Sequence, residues 1–219
     1  MEAMDSTSHK SFCNGSAEGE PVNPKGTLTD RDRWNSKYLA SAASAIPDGP
    51  DEFLTRAFSQ HVLPVFPRGG RALDLAGGAG RNAIWLAKQG WELTLMDISD
   101  VGIERARQKA GPLGSHIHFV VDDLTHFKAS QIRFDLVIVF FFLQRNIFAE
   151  IIKSLRPGGL LIYKTRTSES FEAGKRTMNP AYLLEAGELP RLVEGLTVLH
   201  HREDCEGEAV AELVARKDG

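Results

Sequence analysis

Apolar positions along this chain fall into short runs separated by glycine, proline and charged turns, and their spacing alternates between the strand and helix periods. The clearest unit is RALDLAGGAGRNAIWLAKQG at 71–90. Ala72, Leu73 and Leu75 form a short buried run, and Gly77, Gly78 and Gly80 free the backbone to turn. Ala83, Ile84, Leu86 and Ala87 then recur at helical spacing until Gly90. A second strand at 92–98 carries Asp97 near its end, and Ser99 N-caps a charged helix reaching about Ala110. A third strand, 117–121, runs into Asp122 and Asp123. A fourth, FDLVIVFFF at 134–142, is apolar on both faces, as a central parallel strand must be. Ile147, Phe148, Ile151, Ile152 and Leu155 mark an amphipathic helix, after which the turn at 156–159 leads into a fifth strand at 160–165. Short helical pieces broken by Gly187 and Pro190 precede two strands, 196–202 and 209–216, joined by the polar turn at 203–208. Upstream, Asp30 is placed to cap a helix over 30–44 that stacks Trp34 and Tyr38 on one face. A second helix carries Phe53, Leu54, Ala57, Phe58, His61 and Val62 and ends before Pro64 and Pro67.

Strands alternating with helices in this rhythm predict an α/β fold. The expected architecture is a doubly wound, Rossmann-like seven-stranded sheet, mostly parallel, with a C-terminal antiparallel hairpin. Length and composition narrow this further: 219 residues, 42% of them hydrophobic, suit a single domain with a substantial core. Residues 1–28 carry almost no large apolar groups and are expected to be a disordered or loosely attached arm, leaving 29–219 as the domain. With 26 basic and 29 acidic residues the net charge is -3, so the basic footprint of a general nucleic-acid binder is missing. Cys13 and Cys205 lie far apart without metal-ligand spacing, which favours a reducing cytoplasm and predicts no bound metal. The apolar run at 136–143 is far too short to span a bilayer, so no membrane partner is expected. A monomer or a homodimer is equally compatible with this composition.

The glycine turn is the centre of the candidate chemistry. Gly78, Gly80 and Ala83 satisfy G-x-G-x-x-G/A, and Asp97 lies about twenty residues further on, where an acid accepts hydrogen bonds from ribose hydroxyls. Taken alone, this pattern leaves NAD and S-adenosylmethionine both open. Further landmarks are Asp122 and Asp123 after strand three, placed to receive an adenine amine, the LRPGG turn before strand five, and the closing hairpin.

Through LDLAGGAGRNA, LMDIS, VVDDLTHF, FDLVIV and LRPGGLLIY, in that order and spacing, the chain resembles the class I S-adenosylmethionine-dependent methyltransferases over roughly 30–217. The GRN after the glycine loop, RWNSKY upstream and EAGELPRLVEGLTVLHHRED downstream are most similar to the small tellurite-resistance and thiopurine-type branch, whose members methylate small, often chalcogen-containing molecules. Ala76 stands where the family's D-x-G-x-G-x-G loop has its first glycine. The resemblance implies a methyl donor bound through Asp74, Ala76, Gly77, Gly78, Gly80, Arg81 and Asn82 at the methionine end. It implies Asp97 on the ribose, Ile98 against adenine, Asp123 with Leu124 at the adenine rim, Asp122 being the fallback, and Val139 and Phe140 near the sulfonium. Trp34 and Tyr38 would belong to a helical lid over about 30–66. The product would be S-adenosylhomocysteine.

Each assignment has a plainer alternative. Asp97 can serve only as a helix cap near Ser99; Arg81 can pair with a protein carboxylate instead of the cofactor's; Trp34 and Tyr38 can simply pack their helix onto the sheet. His126, His200 and His201 have the chemistry of a base, but nothing in the sequence brings them together, so no catalytic residue is assigned. No Asn/Asp-Pro-Pro-aromatic segment follows strand four, as in amino-group methyltransferases of DNA and some proteins, and no cysteine lies there. The expected partner is therefore a small-molecule acceptor and not a nucleic acid. An NAD-dependent oxidoreductase and a non-catalytic S-adenosylmethionine-binding module are the alternatives.

Overall fold

The computed structural model describes residues 29–41, 49–168, 179–204 and 209–219. The expected arm at 1–28, both cysteines and most of the 203–208 turn lie outside the described residues. Strand β4 (Phe134–Phe140) is buried throughout, and its alternation divides the core in two. Leu136, Ile138 and Phe140 face one cluster with Phe53, Leu54, Ala83 and Leu86. Val137 and Val139 face another with Leu73, Leu75, Ile151 and Tyr163. A strand with helices on both faces needs apolar residues at both parities. Around it lie β1 (Arg71–Leu75), β2 (Glu92–Asp97), β3 (Ile117–Val121), β5 (Leu155–Arg166), β6 (Leu196–Asp204) and β7 (Val210–Lys217), in the spatial order β3-β2-β1-β4-β5-β7-β6. The first five are parallel, while β7 runs antiparallel to both β5 and β6. The expected sheet and its closing hairpin are present.

The helices are α1 (Asp30–Ala40), α2 (Glu52–Ala57, continuing as a π-helical turn over Phe58–Val62), α3 (Arg81–Lys88), α4 (Asp100–Ala110), α5 (Phe148–Ser154) and α6 (Glu188–Leu192). Among the described residues, no helix is long and apolar enough to cross a membrane.

Four boundaries differ from expectation, each for a local reason. Thr29, not Asp30, caps α1, because its hydroxyl accepts from the Asp32 amide while the Asp32 carboxylate returns to the Thr29 amide. The 156–159 segment is not a turn before β5 but part of it. Phe134 pairs with Leu155 and Leu136 with Leu160, so the strand bulges between them. Gly158 supplies a φ of 78°, and a Cβ on Gly159 would press on the Phe134 carbonyl at 3.0 Å. Pro190 sits inside α6, in the first turn, where a missing N–H costs nothing. Finally, β4 stops at Phe140 because Phe141 adopts φ 58°, the left-handed region, which ends the ladder and turns its ring outward.

Ala76 shares that conformation, with φ 59° directly after β1. The family's glycine at this position would adopt it without strain, whereas alanine's Cβ costs about 1–2 kcal/mol there. Glycine returns about 0.4–1 kcal/mol of that through greater freedom of the unfolded chain. Ala76→Gly is therefore expected to stabilise the protein by ~0.5 kcal/mol in urea unfolding; a loss of stability would show that alanine is not strained here.

Candidate cofactor and acceptor site

Two adjacent parallel strands, β1 and β2, deliver carboxylates to the same sheet edge, and the glycine loop lies between them. Asp74, only 1% exposed, accepts the Ala83 N–H with Oδ2 at 3.1 Å, tying the end of β1 to the first turn of α3. Its Oδ1 is buried and has no hydrogen-bond partner among the described residues. Burial, with Asp97 adding to it, pushes the Asp74 carboxyl up to about 7, against the lowering pull of the Ala83 amide and Arg81. Gly77 must be side-chain-free, since a Cβ there would stand 2.6 Å from the Asp74 carboxyl carbon. Gly78 and Gly80 turn the loop with φ of 55° and 76°.

Asp97 is buried as well. Its Oδ2 accepts the Gly78 amide at 2.8 Å and its Oδ1 the Ser99 amide at 2.9 Å. It is thus not the cap of α4. Ser99 does that by accepting from the Gly102 amide, while Asp97 fastens the loop to β2. Burial raises the Asp97 carboxyl above its ordinary range, opposed by the Ser99 and Gly78 amides. Ile98 is half-buried beside it.

Tyr38 is brought to this place from α1. Its hydroxyl sits directly against Gly78, and its ring covers Gly102. Burial, then the negative charges of Asp97 and Asp74, push the phenol's pKa up. Trp34 lies one turn away, 6.3 Å between ring centroids, with the Lys37 ammonium 4.2 Å from its ring centre. Asn35 bridges Ser99 and Asp100, so α1 docks on the start of α4.

At the end of β3, Asp122 accepts the Asp123 amide. Asp123 accepts both the amide and hydroxyl of Thr125, capping a short 3-10 turn that buries Leu124. Both acids are exposed. Val139, fully buried, and Phe140 belong to the two cores, so at the end of β4 it is Phe141, 36% exposed, that faces open space.

A second grouping was not visible beforehand. Asp51, the N-cap of α2, binds Arg81 at 3.0 Å and Lys164 at 3.2 Å, and its amide donates to buried Asn82 at 2.9 Å. Lys164 also reaches Glu212 at 3.5 Å, its register partner across β5 and β7, and Glu212 binds Arg56 at 3.0 Å. Arg81 therefore pairs with a protein carboxylate. The sequence carried a signal for this cluster: Lys164 within LLIYKT and Glu212 within VAELVA are charges in apolar strands, which burial tolerates only when they are paired. The three histidines do not converge. His200 packs on Phe53 at 5.6 Å between ring centroids, and burial lowers its pKa. His201 pairs with Glu203, and His126 lies exposed in the turn after β3. Among the described residues, no group of three or more His, Cys, Asp or Glu side chains is placed to hold a metal.

A seven-stranded sheet in this order, with a glycine loop after β1 and a closing antiparallel pair, is the Rossmann-like methyltransferase fold. Residues 72–159 match the family model described as a methyltransferase domain. The chain is 32% identical over 120 residues to the demethylmenaquinone methyltransferase of Clavibacter sepedonicus, covering 52% of this chain and 47% of that one. It is 33% identical over 101 residues to the tRNA 5-carboxymethoxyuridine methyltransferase of Escherichia coli K12, covering 42% and 38%. The chain thus spans about half or less of the length of these curated relatives. The N-methyltransferase NodS from Bradyrhizobium japonicum WM9, in complex with S-adenosyl-l-homocysteine, superposes with a TM-score of 0.65 at 20% identity, covering 85% of this chain and 98% of that one. Relatives named for a quinone precursor and for tRNA leave the acceptor class open.

The buried Asp74 generates a pH dependence. Its folded pKa lies above the unfolded value, so the stability it contributes is fully present below about pH 4 and is lost as pH rises through about 7. Asp74→Asn keeps an acceptor for the Ala83 amide and removes the titration. Urea unfolding of the cofactor-free variant is expected to be less pH-dependent between 4 and 8, with stability at pH 8 equal to or above wild type. An unchanged pH profile would refute the placement of this charge.

Proposed function

We propose that the protein is an S-adenosylmethionine-dependent methyltransferase acting on a small-molecule acceptor. The observation that carries this reading is the buried Asp74 oxygen without a partner among the described residues, set behind a glycine loop and electrostatically coupled to a second buried carboxylate, Asp97. This donor set fits the cofactor. Asp74 offers an acceptor to the methionine ammonium, and Asp97, each of whose oxygens has spent one lone pair on a backbone amide, keeps capacity for the ribose diol. A dinucleotide fits less well. Its pyrophosphate needs the first amides of the following helix, and here the Ala83 amide is already taken by an acid that would repel phosphate.

Gly77, Gly78 and Gly80 give close approach along the loop. Ile98, Leu124 and Asp123, or Asp122 in its place, line the adenine rim, and the end of β4 lies toward the sulfonium, with Val139 and Phe140 backing it from the core. Ala76 and Asn82 hold the loop's flanks. Trp34 and Tyr38 on α1 form the lid, with the Tyr38 hydroxyl seated at Gly78 between the two carboxylates.

The cofactor, when bound, supplies a methyl group already activated by sulfonium. The chain's own contribution is alignment and exclusion of water by the lid and the sheet edge, and a dedicated base is unnecessary for a soft anion such as a thiolate. Likeness of RWNSKY and GRN to the tellurite-resistance and thiopurine-type branch supports a thiol or other chalcogen acceptor.

Calorimetry is expected to show S-adenosylhomocysteine binding and no NADH binding, with methyl transfer to one member of a thiol, selenite, tellurite and phenol panel. The reverse cofactor preference would overturn the reading. Cofactor binding with no turnover across the panel would leave a binding module. Asp97→Ala should weaken S-adenosylhomocysteine by about 1.5–3 kcal/mol, as for a hydrogen bond to a charged group. Removing residues 1–40 should reduce both affinity and turnover; unchanged values would exclude the lid.

A further inference from the structure

Beside the glycine loop lies a cavity of about 610 Å³ walled by α2, the start of α3, and the ends of β4, β5 and β7. Two of its acids, Asp51 and Glu212, are buried, and each is shared between two cations: Arg81 and Lys164 on the first, Arg56 and Lys164 on the second. Their charge is therefore matched within the wall. The third acid, Glu52, sits in the first turn of α2, where the helix dipole favours it. What the wall turns toward the cavity is guanidinium. Arg56 is 49% exposed and Arg81 25%, each with a single nitrogen engaged by its carboxylate, and Arg202, exposed and in register with Glu212, lines the same space from β6. A guanidinium has five N–H donors in a rigid fork, so a carboxylate that anchors one nitrogen orients the others. Phe141 completes the cavity. Its left-handed backbone is strained for a bulky residue, and that conformation holds the ring in the opening, flanked by Lys164 at 5.7 Å and Arg166 at 5.3 Å.

We propose that this cavity binds the methyl acceptor by an oxyanion, a carboxylate or a phosphate, held on Arg56, Arg81 and Arg202 with the acceptor's apolar body against Phe141. The inference rests on the methyltransferase reading above and gives that acceptor a chemical class. The Asp51 and Glu212 pairs are the positioning part of the site, fixing the guanidinium heads before the ligand arrives, and Lys164 neutralises the two acids without itself needing to reach the ligand.

The test is calorimetry on the full chain saturated with S-adenosylhomocysteine, titrated separately with benzoate, phenyl phosphate and benzylamine. At least one of the two anions is expected to bind, and the arm that binds names the oxyanion, while benzylamine does not bind. Arg56→Gln and Arg202→Gln should each weaken the anionic probe about tenfold and leave S-adenosylhomocysteine affinity within twofold, which also shows that the variants are folded. Loss of S-adenosylhomocysteine affinity in both variants would place the oxyanion on the cofactor's own carboxylate and overturn the proposal, as would benzylamine binding as tightly as the anions, equal anion binding by variants and wild type, or no anion binding below 10 mM. Failure of the wild type to bind S-adenosylhomocysteine at all would instead overturn the methyltransferase reading.

Discussion

A carboxylate buried at the carboxyl edge of the sheet governs the geometry around it. Asp74 holds the first turn of α3 by the Ala83 amide and excludes any side chain from Gly77, while Asp97 one strand away holds the other side of the loop by the Gly78 amide. Both acids are kept from water at a cost in stability, since desolvation raises both carboxyls. Among the described residues the second Asp74 oxygen has no hydrogen-bond partner, so part of that cost is not offset by the protein's own groups.

The second constraint is charge balance across a wider span. Asp51 and Glu212 come from 161 positions apart in the chain, yet both close on Lys164, which β5 carries into the interior opposite its register partner on β7. Each acid also has a second cation, Arg81 on Asp51 and Arg56 on Glu212, so one ion-paired chain joins α2, the start of α3 and the final hairpin. The glycine loop and the arginine-lined cavity are thus coupled through Arg81 and Asn82, which follow the loop and bind the carboxylate and the amide of Asp51. Helix α1 is attached differently. It buries no residue fully and is held by Tyr38, by Asn35 and by Arg105 on the Ser41 carbonyl.

The seven-stranded, mostly parallel sheet with its closing hairpin was legible because it is written in local period and turn chemistry: apolar residues at both parities in β4, glycines after β1, acids closing β1, β2 and β3. Boundaries failed where a single dihedral or cap outweighed the pattern, as at Phe141, Thr29 and the bulge at Gly158. The histidines that offered base chemistry lie apart, His126 after β3 and His200 and His201 on β6, and Val139 is wholly in the core because β4 is covered on both faces.

By itself the sequence determined the fold class and the glycine turn after β1, since hydrophobic periodicity and backbone permissiveness act over a few residues. Only the tertiary structure decided that Arg81 belongs to Asp51, that Asp97 ties down Gly78, that Tyr38 reaches the loop from α1, and that Arg56, Arg81 and Arg202 converge on one cavity. These pairings depend on which distant side chains the sheet order brings within a few ångströms, and electrostatic partners carry no periodicity from which that order can be read.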